Sequence, residues 1–134
     1  MNCDLSRFVA SNSHYFYYPI EYAFEKIANA GYVNLEFLAG TPHFFTDAFE
    51  YSDCRKVAKL ASDTGLTITA LHPEMASRRY TLCQKDPSWR KLSLDFFRRS
   101  MDAARELGAG IVPIEAAGML RDEPREEAFK RCAE

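Results

Sequence analysis

The residues best suited to chemistry in this chain fall in four short segments. The first is Ser11-Asn12-Ser13-His14-Tyr15-Phe16-Tyr17-Tyr18. The second is Glu36-Phe37-Leu38-Ala39-Gly40-Thr41-Pro42-His43-Phe44-Phe45. The third is His72-Pro73-Glu74-Met75 and the fourth Glu115-Ala116-Ala117-Gly118. All three histidines of the chain lie here, with Glu36, Glu74 and Glu115. Imidazoles and carboxylates bind polar small molecules and exchange protons with them. The aromatic residues crowded into the same segments suit a wall against a sugar or an apolar chain. His14, Glu36, His43, His72, Glu74 and Glu115 are therefore the candidate substrate-side residues. Each also has a plainer reading. His72 could be a buried histidine bonded to a backbone carbonyl, and Glu36 could be paired within the fold. His14 and His43 could be exposed loop residues, and the aromatic run 15–18 a lid over a core. Arg78 and Arg79 could clamp an anion, but no glycine-rich phosphate loop accompanies them. Neither a G-x-G-x-x-G nor a P-loop occurs, so nucleotide binding has no support. No Ser-His-Asp or Cys-His arrangement is legible.

Each of the four segments follows a short apolar run bounded by turn residues. These runs, at 5–10, 32–37, 66–71 and 110–114, are expected strands. Helical spacing fills the intervals. Ile20, Ala23, Phe24, Ile27 and Ala28 form one stripe over 19–30, and Cys54, Val57, Ala58 and Ala61 another over 52–64. Over 88–107, Trp89, Leu92, Phe96, Ser100, Ala103 and Leu107 share one face. Lys91, Asp95, Arg98, Arg99, Asp102, Arg105 and Glu106 take the opposite, solvated arc. Leu94 and Met101 form a second apolar edge, suited to a neighbouring helix. A last helix is expected from about residue 124, with the chain ending inside it. The helix-stop phrase recurs as Ala30-Gly31-Tyr32, Thr64-Gly65-Leu66 and Leu107-Gly108-Ala109, the mark of a repeated βα unit. The alternation predicts an α/β fold of four parallel βα units with right-handed crossovers. Ligands of such folds bind at the carboxyl ends of the strands, where all four segments stand. Pro113 is the one local conflict. It interrupts the fourth expected strand, and proline cannot donate to a ladder.

Composition sets the outer bounds. At 134 residues, one domain over 1–134 is expected. With 47% hydrophobic and 27% charged residues, the chain has the makings of a globular core. A net charge of −2 argues against nucleic acid as a partner. No apolar run approaches the ~20 residues of a membrane span. MNCDLSRFVA does not read as a secretory signal, so a cytoplasmic location is expected. Cys3, Cys54, Cys83 and Cys132 are far apart and form no C-x-x-C pair. That favours a reducing compartment over a zinc ribbon or disulfide scaffold.

The order of elements, with PIEYAFEKIANAGYVNLEF, TGLTITALHPE and SWRKLSLDFFRRSMDAARELGAGIV, resembles the xylose-isomerase-like barrel family of sugar isomerases and epimerases. Within that family the likeness is nearest to the fructoselysine 3-epimerase type, which has a similar Pro-His-Phe loop and Pro-Glu pair. The resemblance runs from about His14 onward. It implies the N-terminal half of a (β/α)8 barrel, open at its first and fourth strands, since such a barrel needs about 250 residues. It also implies proton transfer through an enediolate steadied by a divalent metal (Mn, Co or Mg). The family's metal ligands, two Glu, one Asp and one His, come from later strands. The resemblance thus puts no catalytic residue and no metal ligand in this chain, and gives His14, Glu36, His43, His72, Glu74 and Glu115 a substrate-side role. A small-molecule sugar substrate would need a second half, and a homo-oligomer through the open edges is possible. The alternatives are an inert or partner-binding half-barrel and, less favoured on charge, an AP-endonuclease-like barrel.

Overall fold

The computed structural model describes residues 4–47, 52–75, 80–115 and 122–133. Its regular elements are β1 (Val9–Ser11), α1 (Ile20–Asn29), β2 (Asn34–Ala39), α2 (Cys54–Thr64), β3 (Thr67–Pro73), α3 (Pro87–Leu107) and α4 (Arg125–Ala133). Short 3-10 turns at Leu5–Arg7 and Asn12–Tyr15 flank β1. The start of the first expected strand is therefore a turn. β1 begins only at Val9, after Asp4 caps the turn through the Ser6 N–H.

The sheet is parallel, in the order β1-β2-β3. Leu35, Phe37 and Ala39 alternate along β2 toward one face, where they meet the apolar stripes of the helices. Ala23, Phe24 and Ile27 of α1, Val57 and Ala61 of α2, and Ala103, Ala104 and Leu107 of α3 close this core. Phe37 meets Phe24 and Phe44 edge to face, with ring centroids at 6.0 and 5.5 Å. A second cluster joins Met75, Tyr80, Phe96 and Phe97 at the middle of α3, with Tyr80 stacked on Phe96 at 4.0 Å.

Helix boundaries follow local chemistry. Asp53 and Asp86 cap α2 and α3, accepting from Arg55 N at 3.0 Å and Ser88 N at 2.7 Å. The bond from Arg55 N–H holds the Asp53 carboxyl below the usual carboxylate range. Gly65 and Gly108 end α2 and α3 in the left-handed region, at φ 74° and 76°.

Three expectations need correction. Residues 110–114 do not form a fourth strand. They contribute one parallel bridge, Ile111 to Ala70, with Leu71 N donating to Ile111 O at 2.9 Å. Pro113 has no N–H to extend the ladder. On α3, Phe96, Ser100, Ala103 and Leu107 of the expected face are buried, with Ser93, Phe97 and Ala104 beside them, whereas Trp89 is 48% exposed. Arg99 is not on the solvated arc. It folds back so that its Nε donates to Thr46 O at 2.9 Å. Leu94 and Met101 are exposed, and Leu94 lines a cleft with Arg131 and Cys132 of α4.

Candidate functional site

Two of the candidate residues meet across adjacent strands, Glu36 within β2 and His72 near the carboxyl end of β3. His72 Nδ1 lies 2.8 Å from Glu36 Oε1, with the side chains 31% and 39% exposed. They meet because of an irregularity in the pairing. Leu35 pairs with Ile68, yet Glu36 pairs with Ala70 and Leu38 with His72. Thr69 is left as an extra residue between the two ladders, and its Oγ1 donates to Leu35 O at 3.3 Å. With unbroken pairing His72 would share the parity of Leu35 and Phe37 and point among the helices. The slip turns it to the opposite, open face, beside Glu36. Glu36 accepts from Nδ1–H and so orients the ring. Nε2 is left outside this bond, and Oε2 of Glu36 can accept a hydroxyl.

His43 serves differently. Its ring is buried, Nδ1 lies 2.9 Å from Asn12 Nδ2, and Nε2 lies 2.9 Å from Tyr18 O. An amide nitrogen can only donate, so Nδ1 accepts and Nε2–H donates to the carbonyl. Asn12, fully buried, also accepts from Leu38 N at 2.7 Å and donates to Leu38 O at 3.1 Å. One amide thus ties the turn after β1, the end of β2 and the loop after β2 into a single network. That loop begins with a cis Thr41-Pro42 bond.

The other candidates are dispersed. His14 is exposed on the turn after β1. Glu115 is exposed, with its N–H directed at Met75 Sδ at 3.3 Å. Glu74 is half-buried and lines a cavity of about 240 Å³ with Gly40, Thr46, Asp47, Tyr80 and Phe96. In that cavity Tyr80 Oη donates to the buried carboxylate of Asp47. Arg99 Nη2, whose guanidinium reaches Thr46 from behind, is buried with no hydrogen-bond partner among the described residues. Asn12, Asp47, Tyr80 and Arg99 were not among the sequence candidates. Thr46-Asp47 directly continues the second candidate segment, so a slightly wider reading would have included Asp47. Of the aromatic run, Tyr17 is 98% exposed, while Tyr18 stacks on Tyr22 at 4.8 Å and Phe16 leans on His43 at 5.9 Å. Arg78, Arg79, Ala116, Ala117 and Gly118 lie outside the described residues.

Among the described residues no group of three or more His, Cys, Asp or Glu could hold a metal ion. Both ring nitrogens of His43 are occupied, and Glu36 and His72 engage each other. Among the described residues no helix is long and apolar enough to cross a membrane.

The comparisons with known proteins agree with this architecture. The solved structure of D-psicose 3-epimerase in the presence of D-fructose superposes with a TM-score of 0.64 at 16% identity, over 92% of this chain and 44% of that one. Fructoselysine 3-epimerase of Escherichia coli O157:H7 is 32% identical over 99 residues, 74% of this chain and 36% of that protein. The enzyme of the same name from Shigella flexneri is 31% identical over the same span. The chain therefore spans about a third of the length of the curated relatives it matches. A sequence model of one family matches residues 24–134, most of the chain and both strands that carry the Glu36–His72 pair. The chain belongs to the xylose isomerase-like TIM barrel family.

Proposed function

We propose that this chain forms the substrate-side wall of a sugar epimerase or isomerase acting on a ketose or fructosamine-type substrate. The observation that carries this reading is the Glu36–His72 pair at 2.8 Å on the open face of the sheet. A carboxylate-fixed imidazole and a spare carboxylate oxygen hold two neighbouring hydroxyls of a sugar in fixed register. Glu74 in the adjoining cavity adds a further acceptor, and His14 and Glu115 would line the outer rim. His43 would shape the site from behind, by holding the loop after β2. The names of the relatives, fructoselysine 3-epimerase and D-psicose 3-epimerase, support this substrate class.

The divalent metal that the family implies would be held by residues other than those described here, because the donors present do not converge. The residues of this chain would bind and orient; proton transfer at the reacting carbon would fall to groups elsewhere. We extend the reading to partners and place. The open edges at β1 and Ile111 would be covered by a second half or a second copy, and the protein would work in the cytoplasm.

The test is an NMR titration of the isotope-labelled chain with D-fructose and with fructoselysine. Saturable shifts at Glu36, His72 and Glu74 are expected, weakened at least tenfold by Glu36→Gln and by His72→Gln. Shifts confined to residues remote from the strand ends, or unchanged by both substitutions, would refute the assignment.

A further inference from the structure

The fold brings together two thiols that lie 49 positions apart in sequence. Cys83 is buried in the turn leading to α3, and Cys132 is partly buried in the last turn of α4. Their sulfurs are 2.8 Å apart, so closing a bond of roughly 2.05 Å asks for only about 0.8 Å of movement. The two segments are also held by polar contacts on either side. Arg131 Nε donates to Cys83 O at 3.0 Å, and Lys85 Nζ donates to Asp122 Oδ2 at 2.9 Å. Arg131 is itself clamped by Glu123. A cleft of about 260 Å³ opens at Cys132, lined also by Leu82, Pro87, Arg90, Lys91 and Arg131. Arg90, Lys91 and Arg131 bring cationic groups to this cleft, Lys91 and Arg131 paired with Asp95 and Glu123, and the guanidinium and ammonium donors can meet an anionic reagent.

We propose that Cys83 and Cys132 form a redox-sensitive latch that a small anionic disulfide such as oxidised glutathione closes, tying α4 to the turn before α3. Cys132 is the entry point, since the cleft reaches it and Cys83 is the more deeply buried. Its thiolate attacks one sulfur of the small disulfide and expels one small thiolate, leaving a mixed disulfide. Cys83 loses its proton to solvent and attacks the Cys132 sulfur, expelling the second small thiolate. Two protein thiols and one small disulfide become one protein disulfide and two small thiols. The protein is oxidised by two electrons and the reagent reduced by two. Burial and the neighbouring Cys83 push the Cys132 thiol up to about 11, which keeps the exchange slow at neutral pH. A pair of this kind in a reducing compartment responds to oxidant and does not serve as a permanent staple.

The test is incubation of the intact reduced chain with oxidised glutathione, quenching with an alkylating agent, and peptide mapping by mass spectrometry. The expected product is a monomer two hydrogens lighter, with one linked peptide pair carrying Cys83 and Cys132. The same oxidant on the guanidinium-unfolded chain should scatter linkages among all four cysteines. Hydrogen exchange across α4 should slow at least tenfold in the oxidised form. Full alkylation of both thiols while the chain remains folded would overturn the proposal, as would linkage to Cys3, Cys54 or another chain. Cys83→Ser and Cys132→Ser should each abolish the product. The wild-type map decides the matter even if a variant does not fold.

Discussion

At the residue scale, the site depends on groups that touch no substrate. Asn12 satisfies both backbone groups of Leu38 and one nitrogen of His43. Asn12→Ala should destabilise the fold by about 2–4 kcal/mol, because it strands several buried polar groups at once. Urea unfolding checks this, and a loss under ~1 kcal/mol would mean that water replaces the amide. Gly40 is a second such position. A Cβ there would come within 2.8 Å of Glu74 Cγ and 3.1 Å of its Cβ. Gly40→Ala should displace the Glu74 side chain and cost about 1–2 kcal/mol through overpacking. A crystal structure of the variant would show whether Glu74 leaves the cavity. The sequence places all six candidates after strands; His14, His43 and Glu74 do follow β1, β2 and β3, while Glu36 and His72 stand within β2 and β3. It did not separate His43, whose work is internal, from His72, whose open face is available. A histidine in a loop looks the same in sequence whether its nitrogens meet solvent or a buried amide.

At the element scale, caps and stops were legible because they are local. Gly108 after Leu107 ends α3 as expected, and Asp86 before Pro87 caps its start. Asp86→Ala should cost about 1 kcal/mol, read from the shift of the denaturation midpoint. The fourth expected strand is reduced to one bridge, because apolar, β-branched composition reports propensity alone and Pro113 removes a donor that a ladder needs. The slip in β3 left a faint trace. Its burial runs Ile68 in, Ala70 in and Leu71 in, so the alternation fails at Ala70-Leu71, and those two adjacent apolar residues were visible in sequence. Arg99 shows the converse. Its helical angle marks it as solvated, yet a long side chain can fold back to a neighbouring loop.

At the scale of the whole molecule, the thiol pair and the open sheet give the most direct tests. Oxidising Cys83 and Cys132 closes a loop that the chain-entropy account values at about 4 kcal/mol, so thermal unfolding of the oxidised chain should move up by many degrees. The thiol also gives a pH signature. The folded state binds the Cys132 proton more tightly than the unfolded state, so its support is intact below the ordinary value of 9.0 and is lost as pH rises toward about 11. The reduced wild type should therefore lose stability over that window relative to Cys132→Ser, as measured by denaturant titration at each pH. As to activity, the chain by itself with D-fructose and Mn2+ should show no turnover; measurable epimerisation by the monomer would sink the wall-only reading.

The sequence by itself determined the alternation of strand and helix, the helix ends, the family likeness and the carboxyl-end placement of the polar residues. All of these rest on local periodicity, on capping, or on residue order. Only the tertiary structure decided which polar residues meet. The contact between Glu36 and His72 depends on a one-residue slip between strands 36 positions apart, and the approach of Cys83 to Cys132 depends on where α4 docks. Pairing register and helix docking are set by the packing of the whole core, and no local window of sequence contains that information.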